Sequence, residues 1–207
     1  MPITLKSKAE IRQMYAAGRI VVAVLSALRR AAQPGVSTLE LDRIAMDIVR
    51  RMGGKPAFLG YRGFPAAICA SINAEIVHGI PSAERVLKEG DIVSLDFGAF
   101  LGGLCADSAI TVGVGRISPE AQRLLEVTEE ALWRGIEQVR PGHRLSDIGA
   151  AIEDYVAGTG FSVVREYVGH GIGRAMHEDP QVPNYGPPGK GPVLRPGMVL
   201  AIEPMVN

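Results

Sequence analysis

The chain has 207 residues, 47% hydrophobic and 21% charged, which is typical of a soluble globular protein. Its 22 basic residues balance its 22 acidic ones, so it lacks the positive field that attracts nucleic acid. The apolar run at 20–28 is too short to cross a membrane, and the N-terminus lacks the apolar segment of a signal peptide. Cys69 and Cys105 form no CxxC motif and are expected to be reduced thiols. We expect one cytoplasmic domain over residues 1–207, monomeric, with no nucleic-acid or membrane partner.

Two helices and a strand are predicted in the first part of the chain. Ser7-Lys-Ala-Glu10 has the spacing of a capping box and opens a long helix that Pro34-Gly35 ends. Ser37-Thr-Leu-Glu40 opens a second helix, and Gly53 lies past its end. Residues 66–72 read as a strand.

A β-hairpin is predicted over residues 91–112, with its turn at Gly102-Gly103. If the turn centres between Leu101 and Gly102, Asp96 lies directly opposite Asp107. Opposed side chains are about 5 Å apart, so the two carboxylates repel unless they share a proton or a cation. Taken alone, such a pair favours a solvated edge hairpin, and the rest of the chain reverses this preference.

The second part of the chain predicts the same order of elements. Ser118-Pro119-Glu120 begins a third helix, which Pro141-Gly142 ends. A fourth helix closes near Gly160, and strands are predicted at 161–168 and 198–203.

The two parts are related by a constant shift of 107 residues, which takes Pro34-Gly35 to Pro141-Gly142 and Asp96 to Glu203. Other matching pairs are Val49 and Val156, Gly53 and Gly160, Leu87 and Leu194, Gly90 and Gly197, and Ile92 and Val199. Because the helix order repeats too, duplication is favoured over chance matching. The halves, about 5–115 and 116–207, are expected to pack about a pseudo-twofold axis, with the two acids facing each other. The counterpart of Asp107 would be position 214, so we expect the second half to lack its last strands.

Three of the four histidines, His78, His170 and His177, lie in loops rich in Gly and Pro, and His143 reads as a surface residue. Together with the strand acids they suggest a metal site. Oxygen-rich ligation with one imidazole suits Mn, Fe(II), Co or Zn, and bridging carboxylates would hold two ions about 3.5 Å apart. The alternative is a buried acid cluster satisfied by hydrogen bonds, which is costly without a cation.

The motifs resemble those of type I methionine aminopeptidases of the pita-bread fold. The matching stretches are Cys69-Ala-Ser-Ile-Asn73, His78-Gly-Ile-Pro81, Gly90-Asp-Ile-Val-Ser-Leu-Asp96, Asp107, Tyr167-Val-Gly-His170-Gly-Ile-Gly173, His177-Glu-Asp-Pro-Gln-Val-Pro183 and Pro196-Gly-Met-Val-Leu-Ala-Ile-Glu203-Pro-Met. The resemblance implies an α+β creatinase/aminopeptidase-like fold, with helices covering an antiparallel sheet. It also implies a metallo-exopeptidase that removes the initiator methionine from nascent proteins, at the ribosome, by means of a metal-activated water.

The same resemblance implies roles for individual residues. Asp96, Asp107, His170 and Glu203 would hold two divalent metal ions, with Asp107 bridging and Glu203 also shuttling a proton. His78 would lie beside the scissile amide, and His177 would hydrogen-bond its carbonyl oxygen. The methionine pocket would contain Phe58, Tyr61, Phe64, Cys69 and Met176, although Tyr61 and Phe64 are equally compatible with core packing.

The resemblance also implies a fifth ligand, a Glu on a strand beyond the end of this chain. Weak metal binding and impaired turnover are therefore expected of the 207-residue chain. Two alternatives stay open at this point: a proline-directed peptidase of the same fold, which usually carries an extra N-terminal domain, and a non-catalytic peptide-binding module.

Overall fold

The computed structural model describes residues 2–207, which form two compact units. Residues 9–121 and 174–176 make up the N-terminal unit. The C-terminal unit consists of residues 2–8, 122–173 and 177–207. The prediction of one peptidase domain over the whole chain stays a prediction.

The first helix, α1 (Lys8–Ala31), begins where the sequence predicts. Its length and composition would also allow it to cross a membrane. However, Ile20, Val24 and Leu28 are at most 2% exposed and pack in the core of the N-terminal unit. Its apolar stripe is therefore used inside the fold.

The second helix, α2 (Thr38–Arg51), starts with the predicted capping box. The Glu40 backbone N–H donates to Ser37 Oγ at 3.3 Å, and the Ser37 N–H donates to Glu40 Oε2 at 2.8 Å. These two bonds satisfy N–H groups that the first turn of a helix leaves without a partner. A change of Ser37 to Ala would remove one of them.

The sheet of the N-terminal unit is built around one long strand. It contains β1 (Lys55–Pro56), β2 (Cys69–Ile72), β3 (Ile92–Leu101) and β4 (Leu104–Gly113), all antiparallel. β1 and β2 pair with one edge of β3, and β4 pairs with the other. Val93, Leu95 and Phe97 on β3 are fully buried, as the predicted alternation requires. The strand predicted at 66–72 begins only at Cys69.

The hairpin turn lies one residue further along the chain than the sequence suggested. Leu101 pairs with Leu104, so Gly102 and Gly103 are the two central residues of the turn. Their φ angles are 58° and 79°. A two-residue type I′ turn requires positive φ at both central positions, and glycine adopts it without the steric cost of a Cβ.

This turn shifts the register of the two acids, and the predicted pairing of Asp96 with Asp107 is wrong. Asp96 lies opposite Ala109, and Asp107 lies opposite Gly98. Because the side-chain period of a strand is two, both carboxylates still point to the same face, as diagonal neighbours. The hairpin therefore keeps the two acids together without placing them face to face.

The C-terminal unit repeats the helix pair and adds a small sheet. Its helices are α3 (Pro119–Glu137), whose first residues belong to the N-terminal unit, and α4 (Leu145–Ala157). As predicted, Ser118 caps α3, because its Oγ accepts the Ala121 N–H at 3.1 Å. The strands β5 (Gly169–Gly171), β6 (Glu178–Val182) and β7 (Leu200–Ala201) pair in the order β6-β5-β7.

The strand prediction was poorer here. Of residues 161–168, only the short stretch around Val163 pairs, through three backbone hydrogen bonds between residues 162–164 and 205–207. The strand predicted at 198–203 is reduced to β7. Pairing is instead centred on Gly169–Gly171. A Cβ on Gly169 would lie 2.2 Å from the Ala201 carbonyl oxygen, so only glycine permits this approach of the two backbones.

The repeat of 107 residues is present in the hydrogen bonds of the two units. Gly35 donates its N–H to the Leu87 carbonyl, and Gly142 donates to Leu194. Equivalent features at the same spacing are the bridges Ser37–Val86 and Arg144–Val193 and the left-handed glycine pairs Gly53 and Gly160, and Gly90 and Gly197. The duplication inferred from sequence therefore has a structural counterpart.

Candidate functional site

In the C-terminal unit, the small sheet brings together an imidazole and a carboxylate. His170 on β5 pairs with Ala201 on β7, two residues before Glu203. The His170 side chain is buried, and its Nε2 lies 3.1 Å from Glu203 Oε1. The predicted ligands His170 and Glu203 are thus neighbours.

The other ring nitrogen of His170 sets the chemistry of this contact. Nδ1 lies 2.8 Å from the Gly171 carbonyl oxygen, which can only accept a hydrogen bond, so Nδ1 carries the hydrogen. In the neutral ring, Nε2 then presents a lone pair to a carboxylate oxygen. Two acceptors at this distance require a positive charge between them, either a proton on the ring or a metal ion. Histidine ligands of metals commonly donate their second N–H to a backbone carbonyl, so this donor set fits a divalent cation.

A second imidazole lies next to the first. The ring centroids of His170 and His177 are 4.1 Å apart, with the planes inclined at 42°. His177 is exposed, whereas His170 is buried. The His170 ring is therefore available to a metal, and the exposed His177 ring can reach a bound molecule.

Asn184 supports the acid, and sequence reasoning missed it. This residue is fully buried, and its Nδ2 donates to the Glu203 backbone carbonyl at 2.8 Å. The bond holds the segment beyond β7 against the loop after β6. Asn184 comes directly after the stretch His177–Pro183, and its hydrogen bond to the Glu203 backbone reveals this role.

In the N-terminal unit, Asp96 and Asp107 share one face of the central hairpin. Cys69 on β2 pairs with Asp96 across the edge of β3 that β4 does not occupy. The Cys69 thiol is buried, and this burial raises its pKa far above the usual range. The negative charges of Asp96 and Asp107 raise this pKa further. The acids therefore create a negative face beside a thiol that stays protonated.

The five predicted pocket residues all belong to the N-terminal unit. Phe58, Cys69 and Met176 are buried, and Tyr61 and Phe64 are half-buried. Tyr61 lies in a short 3₁₀ turn, Tyr61–Gly63, that leads into Phe64. Half-burial leaves part of these two rings available for contact with a ligand.

His78 is exposed and is held by the strand that carries Cys69. Its φ of 60° is in the left-handed region, where residues other than glycine are rare. The next residue, Gly79, donates its N–H to Ser71 Oγ at 3.0 Å and accepts the Ala70 N–H at 2.8 Å. Ser71 is thus a supporting residue that sequence reasoning did not identify. His143, predicted at the surface, is half-buried in the turn after α3.

The two cysteines give a direct test of this environment. Burial raises the pKa of the Cys105 thiol to about 12, and that of Cys69 is raised as well. We expect both thiols to resist iodoacetamide in folded protein at pH 8.5 and to react readily in guanidinium chloride, since only the thiolate is nucleophilic. Rapid labelling of the folded protein would contradict this.

The raised pKa values of the two thiols also predict how the stability of the protein depends on pH. An unfolded thiol loses its proton near pH 8.5, whereas the folded thiols hold theirs. Their contribution to stability is therefore complete below about pH 8.5 and is lost as the pH rises toward 12. Chemical unfolding curves between pH 7 and 10 measure this decline, and a matched Cys105→Ala variant should decline less.

Comparison with known proteins identifies the family. Residues 12–207 match the model of metallopeptidase family M24. Methionine aminopeptidase 1 of Bacillus subtilis is 56% identical over 205 residues, which cover 99% of this chain and 82% of the relative. A methionine aminopeptidase from Thermotoga maritima has a solved structure with a TM-score of 0.97 at 47% identity, covering 99% of this chain and 82% of that one.

A more distant structural relative is the Xaa-Pro dipeptidase from Bacillus anthracis, with a TM-score of 0.84 and 28% identity. The match covers 97% of this chain but only 54% of that one. These likenesses confirm the predicted pita-bread fold. The chain therefore belongs to metallopeptidase family M24 and, within it, to the methionine aminopeptidases.

Proposed function

We propose that this protein removes the N-terminal initiator methionine from nascent cytoplasmic chains in a metal-dependent reaction. One observation carries the proposal: His170 Nε2 faces Glu203 Oε1 at 3.1 Å while Nδ1 lies against the Gly171 carbonyl, an arrangement that fits a divalent cation. The identity of 56% with a methionine aminopeptidase supports the substrate. Nascent N-termini presented at the ribosome are the proposed partners, and we propose that the enzyme works as a monomer.

For the metal centre, we propose that Asp96, Asp107, His170 and Glu203 would together hold two divalent metal ions. Carboxylates and one imidazole suit Mn, Fe(II), Co or Zn. When bound, such ions would polarise the scissile carbonyl and generate a nucleophile from water near neutral pH.

The residues of the chain itself would supply the proton transfers and the orientation. Glu203 would take a proton from the attacking water and pass it to the leaving amine. His177 would donate a hydrogen bond to the carbonyl oxygen as negative charge develops there, and His78 would orient the scissile amide. The exposure of both imidazoles supports these roles.

For the methionine pocket, we propose the five aromatic and sulfur-containing residues of the N-terminal unit: Phe58, Tyr61, Phe64, Cys69 and Met176. A thioether packs favourably against aromatic rings and sulfur. The raised pKa of the Cys69 thiol supports this assignment, because an uncharged thiol is compatible with an apolar side chain.

The proline-directed alternative is the weaker one. Identity to the Xaa-Pro dipeptidase is 28%, about half of the identity to the methionine aminopeptidases. A peptide-binding module without catalysis would make no use of the divalent cation that the arrangement of His170 and Glu203 fits.

Release of methionine from Met-Ala-Ser tests the proposal, with Ala-Pro as the comparison substrate. We expect metal-loaded protein to release methionine and to leave Ala-Pro intact. Dialysis against a chelator should abolish the activity, and added metal should restore it. Cleavage of Ala-Pro alone would support the proline-directed alternative, and binding of Met-Ala-Ser without release would support the module.

A further inference from the structure

A buried lysine near the N-terminus is bonded to the segment that carries His177. The Lys6 side chain is 1% exposed, and lysine is almost never buried to this extent unless it is paired. Its Nζ donates to Glu178 Oε2 at 2.5 Å and to the Thr4 carbonyl at 3.2 Å. All of these residues belong to the C-terminal unit.

Glu178 connects this lysine to both imidazoles of the candidate site. It follows His177 directly and is the first residue of β6. Its backbone pairs with Gly171, whose carbonyl oxygen fixes the tautomer of His170. Fixing the Glu178 side chain therefore also restrains His177, which directly precedes it, and Gly171 on the paired strand.

The surrounding backbone fits the ion pair closely. A Cβ on Gly173 would lie 2.3 Å from Lys6 Cε and 2.8 Å from Glu178 Oε1. On the other side, the Lys6 backbone N–H donates to the Gly197 carbonyl at 2.7 Å. Gly197 has φ 94°, and a Cβ there would lie 2.9 Å from the Lys6 carbonyl oxygen. Because both positions are glycine, the ion pair fits between them. The close backbone restricts the pair to one arrangement.

A buried ion pair is a poor way to gain stability alone, because removing two charges from water costs about as much as their attraction returns. Its directional bonds do fix geometry, however. We infer that Lys6 is a positioning residue, which through Glu178 holds His177 and the Gly171 carbonyl in the arrangement that catalysis needs. This inference rests on the proposed function and adds a residue distant in sequence from every residue proposed for the site.

Kinetics of Lys6→Met provide the first test, with Lys8→Met as the matched control. Lys8 is an exposed lysine two residues away on the same segment. We expect Lys6→Met to lower kcat for Met-Ala-Ser about 10- to 100-fold with little change in KM, because small misplacement of a catalytic group acts on the transition state. Lys8→Met should match the parent.

A double-mutant cycle with His177→Ala separates positioning from general destabilisation. If Lys6 acts through His177, Lys6→Met should cause no further loss of kcat in the His177→Ala background. Multiplicative losses in the double variant would overturn the proposal. So would a kcat for folded Lys6→Met within about twofold of the parent, since a positioning defect costs more than that.

A spectroscopic measurement decides the question without activity. The protein has only four histidines, so their ring signals can be assigned by NMR in Zn²⁺-saturated protein. Lys6→Met should shift the signals of His177 and His170 and leave those of His78 and His143 in place. Unchanged signals from all four rings would refute the positioning role. If the parent releases no methionine, the proposed function fails, while the NMR result still decides the role of Lys6.

Discussion

Replacement of His170 by alanine is expected to weaken metal binding by at least about 100-fold and to abolish methionine release. Loss of a residue that merely orients a ligand costs about 10- to 100-fold in metal affinity, so loss of the ligand itself should cost more. In the variant, Glu203 loses the partner that lies 3.1 Å from its Oε1 in the parent.

Two measurements check this expectation, and only one of them depends on activity. Elemental analysis after equilibrium dialysis against buffer that contains the metal should find bound metal with the parent and little with the variant. The thermal midpoint of the parent should rise as metal is added, because a ligand that binds only the folded state stabilises it. That of His170→Ala should stay constant.

His143→Ala is the matched control, because it removes a histidine that lies outside the proposed site. It should retain metal and activity. If His170→Ala keeps its metal, the contact with Glu203 is an ion pair with a protonated imidazole, and the proposed metal centre is wrong.

Local signals in the sequence predicted the helices well. The starts of α2 and α3 follow from side chains that bond the first turn: Ser37 with Glu40, and Ser118 with the Ala121 N–H. Such caps act over three or four residues, so they can be read without knowledge of the fold. The shift of 107 residues predicted the equivalence of the two units for the same reason, since turns with left-handed glycines recur in both.

Strand register was harder to predict, because it depends on turn geometry and on backbone packing that the sequence indicates only indirectly. A shift of one residue in the centre of the Gly102-Gly103 turn changes the partner of Asp96 from Asp107 to Ala109. Pairing at Gly169–Gly171 depends on close approach of two backbones, and hydrophobic periodicity carries no information about it.

The sequence predicted the reactive residues of the candidate site but not the residues that support them. His170 and Glu203 stand in recognisable motifs, and the structure places them in contact. Asn184, Ser71 and Lys6 act through buried hydrogen bonds to residues distant in sequence. Such contacts are visible only once the chain is folded.

Replacement of Gly79 by alanine is expected to cause the second large loss, because this residue fixes the backbone beside His78. A Cβ there would lie 2.2 Å from the Ala70 carbonyl oxygen and 2.8 Å from Ser71 Cα, both of them backbone atoms of β2. Neither can rotate away as a side chain could, so the segment must move and strain the two hydrogen bonds that tie it to β2. Overpacking of this kind costs about 3 kcal/mol of unfolding free energy.

Gly79→Ala should also lower activity. A displacement of His78 by about 1 Å can lower kcat by about 100-fold. The metal content of Gly79→Ala should match the parent, because none of the proposed ligands lies in this segment.

Gly53→Ala provides the control for backbone strain. Gly53 has φ 74° and nothing within 4 Å of an added Cβ, so its replacement costs only the strain of a left-handed alanine, about 1 to 2 kcal/mol. That variant should lose stability and keep its kcat. Gly79→Ala and His78→Ala should have similar kcat values, and combining them should cause little further loss, because both changes remove the same group from its place. If folded Gly79→Ala turns over like the parent, the left-handed conformation of His78 is not needed for catalysis.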